Sequence, residues 1–360
     1  MKRKIIVTAL AGIFCAPAAV LAATNVTLGD IEVYGRLDAN LESVKNDRAT
    51  GATSLNRLMT NASRFGVRGN KELGGDLKVI YQLEAGFDLN GANAAANNGQ
   101  AGLATTRNSN IGLKGNFGTV FMGNWDTPYF VSHDPVELFG NTTVATGVNL
   151  TGRVANAATP IANFNNHQNT VVQYWSPSIS GFQAKIAYAP DNNKTVTQNK
   201  SVLSLSASYD NDSFYGAYGF ESHKDGSFTG QTDKANRLVG AYKVAGALIS
   251  LTYERLTVGT AATSTASRNG IELGGKYKIG ANNLGIVYSK AGDLGGAANT
   301  GASQYSLRYG YDLGSDTEAY GFYTSLTNKA NATYNFKDGA ILGTAGSKLS
   351  GFGVGLAHNF

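Results

Sequence analysis

Cysteine is almost absent. The single one in 360 residues, Cys15, sits inside an apolar N-terminal stretch. The rest of the chain has no disulfide framework and no thiolate metal cluster. Proline occurs only six times, and charged residues make up 15% of the chain, well below the quarter usual in soluble domains. Beyond residues 5–23 there is no run of 18 apolar residues, which excludes a further membrane-spanning helix. Histidine is limited to His133, His167, His223 and His358. No His-x-x-x-His, P-loop or local nucleophile signature occurs, so no catalytic, cofactor-binding or metal-binding residue is assigned and no cofactor is expected. Neither charge sign dominates. The formal net charge is +5, but three of the thirty basic residues are Lys2, Arg3 and Lys4, leaving 27 against 25 acidic residues. That balance gives no footprint for nucleic acid.

What the chain has instead is glycine (45 residues), tyrosine (18) and phenylalanine (16). The glycines follow no Gly-x-y period, which excludes a collagen helix. Low charge with many aromatics argues against a disordered chain. At the N-terminus, Lys2-Arg3-Lys4 precede an apolar stretch from Ile5 to Val20, closed by Val20-Leu21-Ala22. This is the pattern of a secretory signal peptide. Residues 1–22 are expected to be removed, with cleavage after Ala23 as the alternative, leaving 23–360 as one domain. An uncleaved anchor is the competing reading; Pro17 and the small residues at the end favour cleavage.

The remainder has a period of two. In Asp30–Ser43, Ile31, Val33, Gly35, Leu37, Ala39 and Leu41 alternate with Glu32, Tyr34, Arg36, Asp38, Asn40 and Glu42. Leu77–Leu89 repeats the pattern. Such alternation gives a strand one apolar and one wet face. Sixteen such segments are read, from 31–43, 63–71 and 77–89 to 349–360, with the parity of 214–222 and 317–327 ambiguous. The connections alternate between short turns (for example 72–76 and 245–246) and long loops (44–62, 90–106, 126–169, 258–268, 328–348). Tight turns at one end and long loops at the other are the pattern of a transmembrane β-barrel. No proline interrupts a proposed strand, where it would delete a ladder hydrogen bond that lipid cannot replace. The fold class is therefore all-β, a 16-stranded antiparallel barrel in the outer membrane, reached by export. The final alternating segment ends on Phe360, with Phe352, Val354, Leu356 and His358 on the same face.

Several stretches resemble the Gram-negative general porins of Neisseria, Burkholderia and related β-proteobacteria. DIEVYGRLDANLES resembles that family's first strand, and SRFGVRGNKELGGDLKVIYQLE its second and third. RNSNIGLKGNFGTVFMGNWDTP is similar to its fourth and fifth, and QYWSPSISGFQAKIAYAP, SLSASYDNDSFYGAYGFE and GVGLAHNF match later strands. The resemblance implies a homotrimer of barrels in lipid and lipopolysaccharide. Each barrel would be a water-filled path for passive diffusion of ions and small hydrophilic solutes. It also implies that Phe360 belongs to the signal read by the barrel-assembly machinery. One departure stands out: where the family commonly reads Gly-Arg on strand five, this chain has Gly123-Asn124.

Selection in such a lumen needs a charged constriction. The connection 126–169 is the longest, and loops of that length are seldom idle. By its order it is the family's inward-folded third loop, and His133–Gly140 resembles the acidic part of it. Asp126, Asp134 and Glu137 oppose Arg153 alone there. Inward parity on the facing wall selects Arg36, Arg64, Arg68, Lys78 and Lys114, with Arg107 at the root of strand four. The expected constriction is Arg64 and Arg107 facing Asp134 and Glu137, joined by Arg36, Lys78 and His167; the last stands where some relatives carry a third arginine. Two readings from other classes stay open: a barrel-borne enzyme using His133 or His167 as base, and an adhesin with a plugged lumen.

Overall fold

Alternation is converted into a closed wall. The computed structural model describes residues 26–28, 31–48, 53–89, 107–139, 144–156, 159–261, 263–336 and 343–360. The expected signal peptide and the whole of the expected loop 90–106 lie outside the described residues. The sixteen strands are β1 (Ile31–Asn46), β2 (Ser54–Thr60 and Arg64–Gly74), β3 (Leu77–Gly86), β4 (Ser109–Gly115), β5 (Gly118–Asp126), β6 (His167–Trp175), β7 (Phe182–Ala189) and β8 (Val202–Asp210). They continue with β9 (Phe214–Lys224), β10 (Thr232–Val244), β11 (Ala247–Ala261), β12 (Ser264–Ile279), β13 (Asn282–Ala291), β14 (Ala302–Asp312), β15 (Thr317–Asn328) and β16 (Lys348–Asn359). Each pairs antiparallel with the next, and β1 pairs with β16 from Arg36↔Asn359 to Asn46↔Leu349. Closure leaves no edge whose backbone groups would be stranded in lipid.

Leu41, Leu83, Ile111, Met122, Ile186, Leu238, Leu251, Ile286, Leu307 and Val354 are exposed on the outside. Their neighbours on the opposite register are buried polar groups such as Asp38, Glu84, Arg237, Glu254 and Glu272. This inversion of the usual globular pattern is what a bilayer outside and water inside require. At the closure, Phe360 N–H donates to Gly35 O (3.1 Å) and Gly35 N–H donates to Phe360 O (2.8 Å). A Cβ on Gly35 would collide with the Phe360 ring, so only glycine lets the last side chain lie there.

Two expected loops are mostly strand. β1 runs to Asn46 and pairs with Ser54–Thr60, so much of the loop expected at 44–62 is strand; a break in β2 comes at Ala62, which has a φ of 52°. Likewise β11 and β12 extend through the expected loop 258–268 as a tall hairpin. Their upper inward residues Leu256 and Val258 pack against Val154, Ala162 and Phe164 of the connection β5–β6. The ambiguous parities also resolve. Tyr215 and Ala217 of β9, and Tyr320 and Phe322 of β15, point inward, because the same connection covers that side of the lumen.

Candidate pore constriction

The connection between β5 and β6 folds into the barrel. It carries a short helix α1 (Pro128–Val131), capped by the Thr127 hydroxyl, and 3-10 turns at Asp134–Val136 and Gly147–Asn149. It is held on the inner wall of β8–β15 by a buried ionic platform. The Glu254 carboxylate accepts from Gly152 N–H (2.8 and 3.0 Å) and from the Tyr129 hydroxyl (3.3 Å). It also pairs with Arg268 (2.9 Å) and Arg237 (3.4 Å). Arg268 Nη2 donates to Leu150 O (2.7 Å), and the Arg237 guanidinium lies 4.1 Å from the Tyr129 ring centre. Side chains buried this completely tolerate charge only because every charge meets an opposite one and several N–H groups. Further along, Gln304 donates to Val144 O, and Phe139 and Leu150 join an apolar cluster with Val287, Phe322 and Leu326. A Cβ on Gly147 would overlap the Glu272 carboxylate, so the loop can lie this close only with glycine there.

The opposite wall, β1–β4, is arginine-rich. Arg107 Nε meets Glu84 Oε1 at 2.7 Å, and Arg64 Nε approaches Glu84 Oε2 at 3.6 Å. The Tyr34 hydroxyl donates to the same carboxylate (2.9 Å). Arg36 pairs with Asp38 (2.6 Å), and Arg68 makes a two-pronged bond to Glu32 (2.7 Å each) while stacking on Tyr34. Four guanidiniums thus share three carboxylates, and the side chains of Arg36, Arg64 and Arg107 stay 21%, 26% and 22% exposed. A net positive, water-accessible wall results.

The sequence-selected residues separate into groups. Arg36, Arg64 and Arg107 come together on the wall, and each is close enough to influence Arg64 electrostatically. Asp134 and Glu137 sit on the loop. Among the described residues neither forms an ion pair with Arg64 or Arg107. Burial, then the nearby Asp126 charge, pushes the Asp134 carboxyl well above the usual carboxylate range. Burial also raises Glu137, against the lowering pull of His133. Glu137 accepts from Phe139 N–H (3.2 Å) and the Thr146 hydroxyl (3.2 Å), and His133 bridges from it to Glu272 on β12 (2.8 Å). His167 pairs with Asp126 at 2.6 Å, tying the two roots of the loop, and Asn108 donates to the same aspartate. Asn124 donates to Arg107 O (3.2 Å). Lys78 stands apart: it pairs with Glu72 beside the short β2–β3 turn, opposite Lys114 in register. Six residues separate it from Glu84, about 20 Å along the strand. Phe360 lies on Gly35 at the barrel seam.

Sequence reasoning did not single out Glu84, Tyr34 or the platform of Tyr129, Arg237, Glu254 and Arg268. Inward register was the available signal for all but Tyr129.

A barrel that is apolar outside, charged and wet inside, and narrowed by its own loop is by construction an outer-membrane channel. The chain belongs to the Gram-negative porin family, whose model matches residues 7–331. It is 28% identical over 376 residues to the outer membrane porin protein 32 of Delftia acidovorans, with both chains covered in full. To the major outer membrane protein P.IB of Neisseria lactamica it is 27% identical over 254 residues, 67% of each chain. The solved structure of the anion-selective porin from Comamonas acidovorans matches with a TM-score of 0.78 at 25% identity, over 92% of this chain and 99% of that one. The protein is a porin of the outer membrane, a channel for passive diffusion of solutes.

Proposed function

We propose that ions and small hydrophilic solutes pass between the arginine wall (Arg36, Arg64, Arg107) and the acidic loop segment (Asp134, Glu137), with a mild preference for anions. The carrying observation is the arithmetic of the wall, four guanidiniums to three carboxylates, with three of the arginines still open to water. The named selectivity of the Comamonas porin supports the same sign. Acid on one side and base on the other create a transverse field that orders water and favours dipolar solutes. His167, tied to Asp126, keeps the loop base fixed rather than adding a free charge. Reversal potentials of the purified protein in a planar bilayer under a KCl gradient test this reading. Stepwise conductance with anion preference supports it, and a cation preference in the wild type overturns the sign.

In this reading the chain is a channel and not an enzyme. It loses residues 1–22 on export, and it assembles as a homotrimer through the apolar outer face of β1, where small Gly35 and Ala39 allow close packing. Its surroundings are outer-membrane lipid and lipopolysaccharide, and Phe360 is part of the signal for the assembly machinery. Unheated detergent electrophoresis tests the trimer: a band near three times the heated monomer is expected, and a monomer by light scattering in mild detergent contradicts it.

A further inference from the structure

One side chain crosses a whole strand to reach the arginine wall. Tyr34, Gly66 and Glu84 are partners in register on β1, β2 and β3, and all three take the inward face. The backbones of Tyr34 and Glu84 are therefore two strand spacings apart, about 10 Å. The Tyr34 ring bridges that gap by lying over Gly66, with its hydroxyl 2.9 Å from Glu84 Oε2. A Cβ on Gly66 would overlap the ring and its hydroxyl, so the crossing needs a residue without a side chain on the middle strand. The Arg68 guanidinium lies 4.7 Å from the ring centre and holds it flat. Arg68 is itself fixed by its two-pronged bond to Glu32 (2.7 Å each). A tyrosine that only filled the wall would need neither a glycine beneath it nor a carboxylate at its tip.

The effect of the hydroxyl shows in how Glu84 divides its two oxygens. Oε1 accepts from Arg107 Nε at 2.7 Å. Oε2 accepts from Tyr34, while Arg64 Nε stays at 3.6 Å, beyond hydrogen-bond length. The Arg64 guanidinium donates to the Ala62 carbonyl instead (3.3 Å), and its side chain keeps 26% of its surface open to the lumen. The Glu84 side chain is only 7% exposed. A carboxylate oxygen buried that far and left without a donor is costly, and it draws in the donor that faces it. For Oε2 that donor is Arg64.

We propose that Tyr34 is a positioning residue for ion selectivity. Its hydroxyl occupies the Glu84 oxygen that would otherwise close on Arg64, and so leaves the Arg64 charge to the passing anion. Tyr34 touches no solute in this role; it acts through Glu84, and Gly66 and Arg68 hold its ring in place. The proposal rests on the arginine wall as the selective passage, as given above.

The test is a double-mutant cycle read as reversal potentials of the purified protein in a planar bilayer. The KCl gradient has about 0.1 M on its dilute side, where charges still act over about 10 Å. Tyr34→Phe removes one oxygen atom and keeps the ring. It should lower the chloride-to-potassium permeability ratio about twofold, a fraction of what a whole charge at that distance can do. The same substitution in a Glu84→Gln background should change nothing, because no carboxylate remains to close on Arg64. Arg68→Lys keeps the charge but loses the flat contact with the ring. It should shift the ratio in the same direction, again only while Glu84 is present, and it carries the test if Tyr34→Phe does not assemble. A wild-type ratio in the conducting Tyr34→Phe barrel overturns the proposal, as does a rise. An equal fall in the Glu84→Gln background also overturns it, since the hydroxyl would then support the wall without acting through the carboxylate. A wild type that prefers cations would overturn only the sign assigned to the wall; the Tyr34 shift and its disappearance without Glu84 would still support the bridge.

Discussion

Arg107 and Glu84 meet at 2.7 Å on the β3–β4 wall, and the same carboxylate lies 3.6 Å from Arg64 Nε, so one negative charge serves two arginines. The positive character of this wall is therefore a remainder, set by how many carboxylates sit among the guanidiniums.

Glu84→Gln should raise anion preference, because it removes one negative charge without removing an arginine. A unit charge about 4 Å from a passing ion in water-like surroundings is worth about 1 kcal/mol, or about a fivefold bias at most. Arg64→Glu with Arg107→Glu should reverse the preference towards cations. Reversal potentials in a KCl gradient measure both; unchanged selectivity in both variants means the constriction lies elsewhere.

Asp134→Asn with Glu137→Gln should shift permeability towards anions. The pH dependence follows from burial, which raises the Asp134 carboxyl. A raised acid is protonated in the folded protein at a pH where an ordinary carboxylate, near pH 4, is still ionised. As pH falls through that raised value the loop loses negative charge and anion preference grows. The same group favours the folded loop fully below the ordinary carboxylate pKa, and that contribution is lost as pH rises through the raised one. Selectivity should vary as pH falls towards the ordinary carboxylate range in the wild type and flatten in Asp134→Asn with Glu137→Gln.

Glu254→Gln should loosen the loop from the wall. It leaves Arg237 and Arg268 without their shared counter-charge, and breaking a buried pair costs about 3–5 kcal/mol. Single-channel conductance should rise and become noisier, and a protease should cut within 126–169 in the variant but not in the wild type. A quiet variant of wild-type conductance would remove the platform's assigned role.

Deleting Phe360 should lower the amount of protein reaching the outer membrane, while the barrels that form conduct normally. The ring packs on Gly35, which belongs to the outward register of β1, whereas the side chain of Arg36 takes the inward register. Normal yield at modest expression would show that the residue is dispensable.

The sixteen strands were legible because lipid imposes a period of two on every one of them. Legibility failed where the inner face is apolar as well. Tyr215, Ala217, Tyr320 and Phe322 line the part of the lumen that the loop covers, so alternation on β9 and β15 carried no contrast. The tall β11–β12 hairpin was hidden for the same reason, since Leu256 and Val258 are buried by residues a hundred positions away. Register assigns Arg36, Arg64 and Lys78 to the inward face, but register says nothing of height, and Lys78 pairs with Glu72 at the turn end. The partnership of Arg64 and Arg107 with Glu84 depends on which strands become neighbours, and the platform beneath the loop depends on the loop's path across the lumen. Neither is written in the spacing of any one segment.

The pair of hydrogen bonds between Gly35 and Phe360 has a consequence for timing. These residues are 325 positions apart, and their pairing joins the first strand of the ring to the sixteenth. Until the terminus arrives, β1 offers an open row of N–H and C=O groups with no partner, in a medium where water cannot substitute. Contacts this distant in sequence are also the slowest to form. The nascent barrel must therefore pass through a stage with two raw edges, each able to pair with another chain. The cell has to guard that stage for the whole interval between export of Gly35 and delivery of Phe360.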